Sequence, residues 1–172
     1  KLTCSKHPCA LVLRCLLQVA VLDGTLPRSA LKRGVVHVLA KHPMLRVCIR
    51  PAGPPSRSPL EDKLRPQRWD GDGDPLRFCE TESVSPDELA ERVMAAADVT
   101  VCTEEFHAAW SGRLEAAMDH TQFDIAEGPN WQLGVVRDAD RPRMALIFSM
   151  NHALEDQKSA NLMLNDLLAS AA

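Results

Sequence analysis

The chain has 172 residues, 45% of them apolar and 25% charged, a composition of soluble globular domains that excludes the collagenous, coiled-coil and disordered classes. A chain of this length buries about 70% of its surface on folding, so one core and a single domain over 1–172 are expected. The 20 basic and 23 acidic residues leave a net charge of −3, and four Phe, three Trp and no Tyr offer little for stacking on bases, so no nucleic acid is expected as a partner.

No membrane span is expected either, because the longest apolar stretch, Cys15 to Leu22, is broken by Gln18 and falls far short of the ~20 residues that cross a bilayer. Lys1 and Lys6 precede an apolar run, but Arg14 cuts it and no small-residue cleavage site follows, so no signal peptide is read and a cytoplasmic location is expected. A first residue other than Met suggests a processed protein or an excised piece. The cysteines, Cys4, Cys9, Cys15, Cys48, Cys79 and Cys102, contain no C-x-x-C pair and are expected to be reduced thiols.

In chain order, 15–22 has the apolar continuity of a buried strand and ends at the turn Asp23-Gly24. Leu31, Val35, Val38 and Leu39 fall at i, i+4, i+7 and i+8, which predicts a helix over 28–41 that Pro43 stops. Leu45, Val47 and Ile49 alternate with Arg46, Cys48 and Arg50 as in a half-buried strand over 45–50. The Pro- and Gly-rich stretch 51–75 reads as a surface excursion. Within it Asp70, Asp72 and Asp74 resemble the start of a calcium loop, but Pro75 and Thr81 stand where that loop needs Gly and Glu, so a solvated turn is expected. Ser85-Pro86 starts a helix over 87–97, capped by the serine, and Trp110, Leu114 and Ala117 hint at another over 104–119.

The last third opens on Phe123-Asp124-Ile125 and the turn Glu127-Gly128-Pro129, then a strand over 131–137, a hairpin turn at Asp138 to Pro142, an apolar strand over 144–150 and an amphipathic helix over 157–170. Asn151-His152 therefore stands at the carboxyl end of a strand, where open α/β sheets place ligands. A histidine, with an ordinary pKa of about 6.5, suits proton abstraction near neutral pH. Asp156 is placed to accept the free N–H groups of the helix that follows. The fold class expected is α/β, a mixed sheet of these four strands with helices mainly on one face. The remaining histidines, His7, His37, His42, His107 and His120, share no ligand spacing and are read as surface or packing residues, with no metal site.

Three features in this order, Leu22-Asp23-Gly24 leading to His42-Pro43-Met44-Leu45-Arg46, then Phe123-Asp124-Ile125 with Gly128-Pro129, then Asn151-His152-Ala153-Leu154-Glu155-Asp156, resemble the N-terminal half of the CoA-dependent acyltransferase superfamily. Its members include chloramphenicol acetyltransferase, alcohol acetyltransferases, wax ester synthases and condensation domains. The resemblance spans 15–170 and implies one half of a fold built of two similar subdomains, with the second half outside this sequence. It implies His152 as general base for acyl transfer from a CoA or carrier-protein thioester to a hydroxyl or amine, with no tightly bound cofactor. Asn151 stands where many condensation domains carry a first histidine. Asp156 matches a structural aspartate that usually pairs with an arginine. Gln157 replaces the motif glycine, and a position that required positive φ there would be strained by a side chain. The implied partners are the thioester donor, a small-molecule acceptor and a second acyltransferase half or partner chain. The alternative is a non-catalytic binding or scaffolding half-domain.

Overall fold

A computed structural model describes residues 15–51, 76–80, 84–97, 99–102, 105–120, 123–154 and 156–172. The Asp70, Asp72 and Asp74 pattern with Pro75 and Thr81, and the surface excursion beyond Pro51, lie outside the described residues. The core strand is β6 (Met144–Asn151), buried at every one of its residues. It is flanked by β1 (Cys15–Leu22) and β5 (Trp131–Asp138), both antiparallel to it, and β4 (Val99–Cys102) adds parallel to β5, giving the order β1-β6-β5-β4. The sheet is therefore mixed, as the sequence predicts.

Among the described residues three helices cover one face. α1 (Arg28–Lys41) buries Leu31, Val35, Val38 and Leu39, the periodic positions read from sequence. α2 (Pro86–Ala96) starts at Ser85, whose hydroxyl accepts the Glu88 N–H at 3.2 Å. α4 (Gln157–Ala171) packs Ala160, Met163, Leu164 and Leu167 into the same core, with Trp131 and Phe148 from the sheet. The opposite face carries α3 (Phe106–His120), whose Phe106, Ala109, Trp110 and Leu114 meet Val19, Val136, Ala145 and Ile147. The placement of helices mainly on one face thus holds, with α3 as the exception.

The expected strand over 45–50 is corrected in two ways. Pro43–Arg46 is a turn of 3-10 helix, and only Val47–Pro51 forms a strand, β2. β2 then pairs with β3 (Leu76–Glu80) as a separate two-stranded sheet and does not join the mixed one. Arg46 explains the change at the turn, because its guanidinium donates to the Leu39 carbonyl at the end of α1 and at 2.5 Å to Glu80 on β3. Strands β3 and β4 are additional to the four expected. β4 carries a signal, Val-Thr-Val, in a segment four residues long.

Helices α1 and α4 pack so closely that a Cβ on Gly34 would stand 2.6 Å from the Leu167 carbonyl oxygen. Alanine would add helix propensity at this position but force the two backbones apart. Gly34→Ala is expected to lower stability by ~1–3 kcal/mol, the usual range for overpacking, measured as a lower urea midpoint. An unchanged midpoint would show that the helix pair is looser than described.

Candidate active site at the end of strand β6

The sequence motif Asn151-His152 lies where β6 ends. Asn151 is 1% exposed and its backbone N–H donates to the Asn130 carbonyl at 2.9 Å, which extends the strand pairing by one residue beyond β5. Its side-chain Oδ1 accepts the Ala153 N–H at 3.0 Å, and its carbonyl accepts the Leu154 N–H at 3.0 Å. An asparagine side chain that bonds the backbone two residues on is a common way to form a tight turn. Leu154, 5% exposed, anchors the far side of the turn in the core. His152 is left at the apex with its side chain exposed. The residue that replaces a first histidine thus has a definite local job, holding the chain that carries the second.

Asp156 is the N-cap of α4, and its carboxylate accepts the Ser159 N–H at 2.8 Å. That bond, assisted by the Ser159 hydroxyl, holds the carboxyl below its ordinary value. Among the described residues no arginine pairs with Asp156, whose carboxylate there serves as a helix cap. Gln157 is the first residue of α4, with an exposed side chain. No non-glycine residue among those described has positive φ. A glycine is therefore not required at 157 by backbone conformation.

The structure joins the second and third motif stretches, and the residue that follows the first, at one buried residue that carries no motif signal in the sequence analysis. Asn130, 0% exposed, receives the Asn151 N–H on its carbonyl, while its side-chain amide donates to the carbonyls of Val47 at 3.1 Å and Ile125 at 3.4 Å. Trp131 beside it donates from Nε1 to the Leu45 carbonyl at 3.1 Å, and the Ile49 N–H reaches the Ile125 carbonyl at 2.6 Å. Asp124 closes the intervening turn by accepting the N–H groups of Ala126 and Glu127 at 3.1 and 3.2 Å. Gly128, at φ +63, turns the chain into Asn130 through a conformation that other residues adopt at a cost. The signal available in sequence was a polar residue between a Gly-Pro turn and an apolar strand. His42 of the first motif stands apart from this cluster, with Nε2 2.7 Å from Asp166 Oδ2 on α4, while Lys41 holds the other carboxylate oxygen at 2.7 Å.

No group of His, Cys, Asp or Glu among the described residues has the arrangement of a metal site. No helix among them is long and apolar enough to cross a membrane. An open depression of about 580 Å³ lined by Lys32, Arg33, Val36, His37, Ala40 and Asp87 shares no residue with the His152 turn.

No protein-family model matches the sequence, and no curated protein does. Solved structures do. The starter condensation domain of rhizomide synthetase RzmA superposes with a TM-score of 0.61 over 90% of this chain and 32% of its own, at 13% identity. The chain has a condensation-domain fold. The X-domain in complex with OxyB from teicoplanin biosynthesis matches with a TM-score of 0.57 over 92% of this chain and 27% of its own, at 18% identity. The condensation domain that mediates chain release from the enacyloxin polyketide synthase gives 0.53 over 93% and 26%, at 16% identity. The chain accordingly spans about a third or less of the structures it matches, and within the condensation-domain fold, which is chloramphenicol acetyltransferase-like, it corresponds to a half-domain.

The Asp156 cap gives a pH signature. Because its folded pKa is depressed, its stabilisation is full above the ordinary aspartate value of 3.8 and is lost as pH falls through the lower folded value. Asp156→Ala is expected to lower the thermal midpoint at pH 7. Asp156→Asn, an equally good cap, is expected to keep that midpoint and to flatten its fall below pH 4 (about the ordinary carboxylate range). Equal midpoints for wild type and Asp156→Ala at pH 7 would contradict the cap.

Proposed function

We propose that the chain is the N-terminal half of an acyltransferase of the condensation type, moving an acyl group from a CoA or carrier-protein thioester to a hydroxyl or amine. The observation that carries this reading is the exposed His152 at the apex of a turn whose two sides are fixed, by Asn151 on the sheet and by Leu154 in the core. A base of this kind must keep its position while its ring remains open to substrate. In the reaction the imidazole takes the proton of the acceptor as it attacks the thioester carbonyl. The tetrahedral intermediate then expels the thiolate, and the imidazolium returns the proton. Asn151 and Asp156 act on the backbone, one at each side of the turn, and do not touch substrate. The RzmA condensation domain has been solved with C8-CoA, which is the donor chemistry this reading requires.

The second wall of the site would come from another acyltransferase half or a partner chain. Exposed Val21 and Val101, on the two edge strands of the sheet, support such covering. A non-catalytic binding half is the second reading, favoured by the exposed Gln157 side chain where the motif carries glycine. The X-domain, a structure of the same fold, was solved bound to OxyB.

His152→Ala in the protein that supplies both halves separates these readings. Loss of ~10²–10⁴ in acyl-transfer rate is expected, the typical worth of a positioned base, with an unchanged circular dichroism spectrum because the side chain is exposed. A rate equal to wild type would overturn the catalytic reading and leave the binding one.

A further inference from the structure

Cys48 and Cys79 stand directly opposite each other in the two-stranded sheet of β2 and β3. Directly opposed residues of an antiparallel pair project to the same side of the sheet. The ladder position can be read from β2. The Ile49 N–H points away from β3 to Ile125, and the Val47 carbonyl points away to Asn130. The residue between them therefore turns its own N–H and carbonyl toward β3, which makes Cys48 and Cys79 a hydrogen-bonded pair with Cα atoms about 5.5 Å apart. That separation is near the commonest value for a disulfide, and the Cβ atoms, about 5.5 Å apart in a hydrogen-bonded pair, need to approach by about 1–2 Å. The Cys48 Sγ lies 3.4 Å from the Cys79 carbonyl oxygen, while the Cys79 Sγ lies 3.9 Å from the Arg77 carbonyl oxygen, so closing the bond needs a turn of the Cys79 side chain.

We propose that Cys48 and Cys79 form a reversible cross-strand disulfide by exchange with a low-molecular-weight disulfide of the glutathione type. Cys79 is partly exposed and Cys48 is 1% exposed, which sets the order of events. Cys79, having lost its proton to solvent, attacks one sulfur of glutathione disulfide and expels a glutathione thiolate. Cys48 then loses its proton, attacks the Cys79 sulfur of the mixed disulfide and expels the second glutathione. Two protein thiols are oxidised and one glutathione disulfide is reduced to two thiols. Burial pushes the Cys48 thiol up, so it resolves the mixed disulfide in the second step and does not initiate the first. The bond would fix β3 to β2, the strand whose backbone is held by Asn130 and Ile125 next to the His152 turn.

The test is a peptide map of the full chain, reduced, incubated with oxidised glutathione, then alkylated under denaturing conditions. The expected result is a Cys48–Cys79 linked peptide that dithiothreitol abolishes, with Cys102 alkylated as a free thiol. In Cys48→Ser the resolving thiol is gone, and glutathione is expected to remain on Cys79. Alkylation of both Cys48 and Cys79 in the wild-type chain, glutathione persisting there on Cys79, or Cys79 joined to another cysteine would each overturn the proposal. The wild-type map decides even where the variant does not fold.

Discussion

Asn130 is the constraint on which the placement of the site depends. A buried amide N–H group costs several kcal/mol unless it is hydrogen-bonded; the Asn130 side chain donates to the carbonyls of Val47 and Ile125, and its main-chain carbonyl accepts the Asn151 N–H. Ile125 and Asn151 belong to two of the sequence motifs and Val47 follows directly on the His42-to-Arg46 stretch of the other, so these stretches are joined through main-chain groups. Trp131 continues the seam by bonding Leu45 while its ring lies 5.2 Å from that of Phe148 on β6. The polar seam is thereby backed by the apolar core.

From this seam the rest of the site follows in order. Continued pairing through Asn151 carries β6 past the end of β5. The asparagine side chain bends the chain back at once, Leu154 returns to the core, and Asp156 starts α4. Between two anchored residues the apex must face outward, and that is where His152 stands. The same economy of backbone bonds explains why Gln157 is tolerated, since the first residue of a capped helix has ordinary negative φ. What remains special about position 157 is its side chain's nearness in sequence to the apex.

The parts legible in sequence were those whose signal is local and long. The apolar periodicity of α1, the Ser85-Pro86 start of α2, the apolar run of β6 and the Asp156 cap are each properties of one segment, and each is found within a residue or two of its expected bounds. The segment 45–50 failed because alternation records burial and not the neighbour that provides it. Val47 and Ile49 are buried as expected, but so is Cys48, which alternation puts on the other face, and the strand is held by Asn130 and paired with β3. Asn130 itself could not be found by periodicity, because a single polar residue at a strand entrance has the same appearance whether it faces water or closes a seam.

The His152 turn is locked to the sheet by the Asn151 N–H to Asn130 bond and by the Leu154 N–H to Asn151 bond. Amide hydrogen exchange measured residue by residue tests this on the chain itself. Protection of the Asn151 and Leu154 amides comparable to that of the β6 interior, with the His152 amide exchanging fast, is the predicted pattern, since locally opening segments lose protection first. Fast exchange at Asn151 and Leu154 while β6 stays protected would contradict the account, because the turn would then open independently of the sheet that is said to position it.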